Sequence, residues 1–348
     1  MSTAKTPLFH VVKREGSFAR GLLVRIAAIA LALIVCAVII VLLTGMNPLN
    51  VYGALINGAV GTSRRMWITL RDSAILLCIS FAVMPAFRMR FWNIGAEGQV
   101  LVGAMATAAV MIYGASLPSW LLYALCPIAG VAAGMVFGII PAYFKAKWNT
   151  NETLFTLMLN YIASQLVAFC IIFWEKPKGS NSVGLINSKG KIGWLPSVAG
   201  NSYLLPILIV AALAVILFVY MHYTKQGYEI SVVGESENTA YYAGIRVHRV
   251  IVRTMALCGG LAGLAGGRGF TAIVVAWLGK LNPFSMMLVA FGLVFMEKGS
   301  IEIASQFNLN ENASEILTGV ILFFILGCEF FINYRLEFRK ADKEGIKG

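Results

Sequence analysis

The chain has 348 residues, of which 59% are hydrophobic and 13% charged, with a mean hydropathy of +0.78. Soluble domains carry about 25% charged residues, so this chain lacks the polar side chains to cover a water-facing surface and reads as a polytopic membrane protein. The net charge of +12 does not point to nucleic acid, because basic loops beside apolar spans are what the positive-inside rule produces.

A helix that crosses a bilayer needs ~20 mostly apolar residues. The first such run, Gly21 to Gly45, follows Lys5, Lys13, Arg14, Arg20 and Arg25 and is longer than a signal-peptide core. It is expected to be an uncleaved anchor with its N-terminus in the cytoplasm. Further spans are expected at 69–87, 97–114, 119–144, 152–174, 203–222, 250–266 and 314–334. Alternation then places 88–97, 145–151, 223–249 and the tail in the cytoplasm, and the Gly-, Ser- and Asn-rich loop 175–202 outside. The six cysteines all lie in apolar segments without a C-x-x-C pair, and the three histidines are scattered, so neither set suggests a disulfide framework or a metal site.

Region 268–297 breaks at "LGKLNP" into two apolar pieces, 269–278 and 283–296, neither long enough to span. The tail "YRLEFRKADKEGIKG" is basic and "SIEIASQFNLNENAS" has no basic residue, which puts the loop outside and the tail inside. The expectation is a re-entrant pair opened from the outer side, broken near Lys280–Pro283 and packed on the glycine face of 250–266. The fold class is thus all-α, with about eight full transmembrane helices plus this pair.

Four polar or glycine-rich elements stand out. "FWNIGAEGQV" sets Asn93, Glu97 and Gln99 among two glycines. It reads either as a discontinuous helix start lining a polar path or as a cytoplasmic connection with Asn93 as N-cap and Glu97 in the first turn. In "NTNETLFTLMLNYIASQLVAF", Asn149 with Glu152 resembles a capping box. Thr153, Thr156, Asn160 and Ser164 make one polar stripe at helical spacing, suited to a pathway or to interhelical hydrogen bonding. In "GYEISVVGESENTAYYAGIRVHRV", Ser236 is an N-cap candidate and Gly244 a C′ candidate around a short helix, Glu237–Ala243. A plain surface turn is the alternative. In "CGGLAGLAGGRGF", the spacing of Gly259, Gly263 and Gly267 suits close helix packing in a membrane. No P-loop, carboxylate pair or catalytic triad occurs, so the chain does not read as an enzyme.

"FWNIGAEGQVLVGA", "NETLFTLMLNYIA", "GYEISVVGESENTAYYAGIRV" and "CGGLAGLAGG", in this order, resemble the permease subunits of bacterial ABC importers for nucleosides, within a group that includes simple-sugar and branched-chain amino-acid permeases. The resemblance spans about residues 45–335. It implies a single permease domain, 1–348, with a cytoplasmic N-terminal segment 1–21, a coupling loop 223–249 and a cytoplasmic tail 335–348, in the bacterial cell membrane. It implies partner ATPase subunits that hold ATP and Mg, a second permease subunit and an extracytoplasmic substrate-binding lipoprotein, with no cofactor on this chain. Asn93, Glu97, Gln99, Asn151, Glu152, Thr156 and Asn160 match the group's polar motifs beside the path. The segment Gly234, Glu235, Glu237, Asn238, Ala240, Tyr241, Ala243, Gly244 and Ile245 matches the helix that docks on the ATPase. The solute implied is a nucleoside, with a simple sugar or riboflavin-like heterocycle as the alternative, and an ion-coupled carrier as a reading from another class. The sequence departs from the group in one place, where only Gly267 and Arg268 separate "AGLAGG" from "GFTAIVVAWLG".

Overall fold

A computed structural model of the chain describes residues 9–13, 18–307 apart from 46, 189 and 191, and a subset of 316–338. The elements in order are β1 (Phe9–Lys13), α1 (Phe18–Thr44), α2 (Pro48–Val60), α3 (Ser63–Arg88), α4 (Ala96–Tyr113), α5 (Ser119–Trp148), α6 (Glu152–Trp174), α7 (Leu204–Tyr223), α8 (Lys225–Glu235), α9 (Glu237–Tyr242), α10 (Val247–Leu264), α11 (Gly269–Leu278), α12 (Pro283–Gln306) and β2 (Tyr334–Phe338). Among the described residues, seven helices are long and apolar enough to cross a membrane: α3 to α7, α10 and α12. The expected span 314–334 falls partly outside the described residues, and those described between 316 and 332 are helical.

The chain forms two compact units, residues 1–61 with 295–348, and residues 62–294. In the first, β1 and β2 pair antiparallel, Phe9 opposite Phe338 and Lys13 opposite Tyr334, so the two terminal segments lie side by side. Its core gathers Cys36 and Ile40 of α1, Val51 and Leu55 of α2, and Ile303 and Ile321. Helix α2 was not expected from the sequence. Its start is signalled locally, with Pro48 at the first position and the Asn47 side chain accepting from Leu49 N at 3.0 Å.

In the second unit, α5 and α10 form the most extensive helix pair. A Cβ added at Gly134 would collide with the Gly259 carbonyl, one at Gly130 or Gly103 with Gly263, and one at Gly138 with the Met255 carbonyl. The backbones touch along this seam because both sides are glycine. This corrects the expected packing of 269–278. The face of α10 carrying Gly259 and Gly263 is taken by Gly130, Gly134 and Gly138 of α5, while α11 packs on α3 and α4. Gly267 lies beyond α10 and is not part of the seam. It sits at φ +145° in the turn that reverses the chain between α10 and α11.

That reversal also corrects the expected topology. Helix α10 ends level with Gly130, about eleven residues or roughly 16 Å short of the Ser119 end of α5. Helix α11 begins against Glu97, where a Cβ on Gly269 would strike the Glu97 backbone. Near its end Trp277 stacks on Trp92 at 5.1 Å between centroids and lies 5.5 Å from the Phe87 ring. Phe87 adjoins Arg88, whose side chain reaches Ser231 of α8. The break at Gly279–Asn282 therefore exists as expected in the sequence, but at the end of the bundle that carries α8 and α9, not at membrane depth in a pair opened from the outer side. The re-entrant pair is α10 with α11. Helix α12 is a single 24-residue helix that runs past Met296. The charges Glu297, Lys298 and Glu302 cut the apolar run in the sequence but leave the helix intact, where Gly58 and Leu55 of α2 press against it.

Candidate functional site: a buried helix start and an exposed capped segment

Helix α3 carries Arg88 at its end, and residues 89–95 then run non-helically along the first turns of α6. Gly95 lies against Thr156, and Gly98 against Asn160. Helix α4 thus starts about four residues, roughly 6 Å, along α6 from Glu152. Irregular backbone at such depth requires internal partners, and the polar residues of the motif supply them. Asn93, fully buried, exchanges hydrogen bonds with Gln99 at 3.3 and 3.4 Å and accepts from Gly95 N at 3.1 Å. The Asn160 amide donates to the Ile94 carbonyl at 2.9 Å and accepts from Gly98 N at 2.8 Å. One side chain on α6 therefore closes both sides of the α4 start. Gly95, not Asn93, is the N-cap, and Asn93 shapes the turn that precedes it.

Glu97 stands in the first turn of α4 and accepts from Phe270 N of α11 at 3.1 Å. A carboxylate is thereby set at the positive ends of two helices. The polar stripe of α6 divides. Thr156 and Asn160 are buried against 93–98, whereas Ser164 is exposed and its hydroxyl returns to the Asn160 carbonyl at 3.0 Å. Thr153 is half-buried, and its carbonyl, with that of Glu152, accepts the Thr156 hydroxyl. The capping residue of α6 is Asn151, which accepts from Leu154 N at 3.1 Å. Asn149, expected in that role, instead ends α5 in the left-handed region at φ 50°.

The second site is α8 with α9. Thr224 caps α8 through Gly227 N, and Ser236 breaks the helix and caps α9 through Thr239 N at 3.3 Å. At the far end Gly244 adopts φ +74°, Gly244 N bonds the Tyr241 carbonyl and Ile245 N bonds the Ala240 carbonyl. This double closure is a Schellman motif, which the Ser236…Gly244 spacing foretold. Ala240 alone of α9 is buried; Glu237, Asn238 and Tyr241 are exposed, and Tyr242 is 93% exposed.

A six-residue helix is not stable by itself in water, and α8 anchors it. Gly234 sits so close to the Arg88 carbonyl that a Cβ there would overlap it. Glu229 of α8 pairs with Arg253 of α10 at 2.9 Å. Neither Arg88 nor the Glu229–Arg253 pair was singled out in the sequence, because single charges at such separations carry no periodic signal. Beside α9, Lys145 and Glu152 pair at 3.0 Å across the α5–α6 corner. They border a cavity of about 170 Å³ that also reaches Arg90, Glu235 and Glu237. A neighbouring cavity of about 370 Å³ extends to Lys147, Tyr241 and His248.

The described helices thus form a polytopic bundle with a buried helix start and a capped, exposed segment off one end. Residues 65–268 match the family described as the permease component of branched-chain amino acid transport systems. The chain belongs to this family of ABC importer permeases. It is 30% identical to a nucleoside ABC transporter permease protein of Lactococcus lactis over 93% of this chain and 95% of that one. It is also 30% identical to a guanosine ABC transporter permease protein of Bacillus subtilis, over 93% of this chain and 97% of that one. A glucose ABC transporter permease protein of Haloferax volcanii is 29% identical over 84% of this chain and 83% of that one.

Proposed function

We propose that this permease forms the membrane path for ATP-driven import of a nucleoside, acting as one permease domain beside a second permease subunit. The observation that carries the coupling is α9, capped at both ends, exposed on nearly every face and fixed to the bundle through Gly234 and Glu229. In this reading, partner ATPase subunits bind and hydrolyse ATP with Mg and engage Tyr241, Tyr242 and the polar cavities beside them. An extracytoplasmic lipoprotein delivers the solute on the other side. The pairing of β1 with β2 supports both terminal segments lying on one side, and the basic N-terminus and tail favour the cytoplasm for it.

The path runs beside the α4 start. Asn93, Gln99, Thr156 and Asn160 fix its shape, since their side chains are already engaged. Glu97, half-buried between two helix starts, is the charged group the solute passes. The nucleoside assignment is supported by the two 30% identical relatives, and the glucose permease relative keeps a simple sugar as the second reading. Competition uptake separates them. In cells expressing the full transporter, excess unlabelled adenosine or guanosine is expected to abolish uptake of labelled nucleoside while glucose and riboflavin do not. ATP-dependent glucose uptake without nucleoside competition overturns the substrate assignment.

A further inference from the structure

Helices α3 and α7 and the start of α12 enclose an open groove of about 510 Å³. On α3 it runs from Trp67 to Phe81, roughly 21 Å. That is more than half of the ~30 Å hydrocarbon core of a bilayer. Its walls are apolar side chains with one exception, Ser73, and the Ser73 hydroxyl is spent on the Thr69 carbonyl of its own helix at 2.6 Å. Beyond the Trp67 indole N–H the groove offers a ligand no hydrogen bond, so it disfavours a nucleoside, a sugar or any other solute with several polar groups.

Its mouth has the opposite character. Arg64, Arg65 and Arg71 lie within the first nine residues of α3, against a single acid, Asp72. Arg71 pairs with Asp72 at 2.7 Å and stacks over the Tyr203 ring at 5.3 Å, which joins the top of α3 to the start of α7 directly above the groove. The stretch Ser63–Arg71 carries three positive charges, and the segment Pro196–Tyr203 carries no charged residue.

We propose that this groove is a structural site for an anionic phospholipid. One acyl chain lies along Trp67, Leu77, Ala211 and Phe284, and the phosphate faces Arg64 and Arg71. The hydrocarbon requirement follows from the lining, the headgroup sign from the arginines at the start of α3, and room for an extended acyl chain from the length. The lipid wedges between α7, which leads into α8, and α12, so its presence sets the packing of these helices.

The test uses the full chain in nanodiscs made of equal parts phosphatidylglycerol and phosphatidylcholine, released into a native mass spectrometer. Retained adducts are expected to have the phosphatidylglycerol mass at least fivefold more often than the phosphatidylcholine mass. Arg64→Gln with Arg71→Gln should remove that preference, and Ala211→Trp, which fills the groove, should remove the adduct itself. A photoreactive benzoyl side chain at position 214 should crosslink to lipid. Equal retention of both lipids, or adducts unchanged by Ala211→Trp, overturns the proposal. So does a crosslink at position 214 to polypeptide, from this chain or a second permease, because a protein element then occupies the groove.

Discussion

Asn160 on α6 and Gly98 on α4 are joined by a 2.8 Å hydrogen bond from the Gly98 N–H to the Asn160 side-chain oxygen, and the same amide donates to the Ile94 carbonyl. The first turn of a transmembrane helix is thus satisfied by a side chain from its neighbour. A buried N–H or C=O left unpaired costs about 1–3 kcal/mol. Asn160→Leu removes both partners, so the α4 start should loosen. We expect melting by tryptophan fluorescence to fall by several degrees and uptake to fall at least tenfold. Asn160→Asp, which keeps the acceptor but not the donor, should fall between the two. Unchanged uptake in Asn160→Leu would show that the helix start does not control the path.

The α5–α10 seam predicts a steric effect of a different kind. A side chain at Gly134 meets the Gly259 backbone, which no rotamer change can relieve. Gly134→Leu should prevent stable insertion, with loss of the monodisperse peak in detergent chromatography. Gly292, with nothing within 4 Å of an added Cβ, is the control, and Gly292→Ala should elute as the parent does.

The α10–α11 reversal predicts where the turn at Lys280 is accessible. Lys280 sits two residues after Leu278, and its N–H donates to the carbonyl of Trp277, which stacks on Trp92 at the end that carries α8. With native cysteines replaced, Lys280→Cys should resist an impermeant maleimide in whole cells and react in inverted vesicles. Reaction from outside would restore the outward-opened pair expected from the sequence.

The loop that follows α6 predicts a pH dependence. The Gly179 N–H and then the Asn181 N–H, each at 2.9 Å from the Glu175 carboxylate, lower its pKa below the ordinary value, with Lys178 adding to the effect. A carboxyl group with a depressed pKa in the fold stabilises above its unfolded pKa, and the contribution disappears as pH falls through the folded value. Protection of the Gly179 and Asn181 amides from hydrogen exchange, corrected for intrinsic rates, should be high at neutral pH and lost in acid. Glu175→Gln should show low protection at both. Protection in the variant equal to the parent at neutral pH would mean that the carboxylate does not order the loop.

Much of this architecture is legible in the sequence because it depends on local rules. Apolar run length gives α1 and α3 to α7, and Ser236 with Gly244 gives α9 with its caps. The glycine face of α10 was legible too, but its partner was missed, although Gly130-x-x-x-Gly134-x-x-x-Gly138 repeats the same spacing on α5. The placement of α11 was not legible, since it depends on Glu97 and Trp92 meeting residues about 180 positions later. The end of α12 was misjudged because hydropathy marks where apolar character stops, not where a helix does. In the polar motif, composition identified the residues but not their partners, so a row of unused polar groups could not be told from a closed hydrogen-bond network.

The central claim is that α9 transmits ATP-driven motion into the path, and the coupling ratio tests it most directly. Gly244 holds φ +74°, a conformation a β-branched residue enters only with strain. In proteoliposomes with the partner ATPase, second permease and binding protein, ATP hydrolysed per nucleoside imported should be constant in the parent. It should rise at least tenfold in Gly244→Val, with the complex still assembled. An unchanged ratio with full assembly and normal uptake in Gly244→Val would contradict the account.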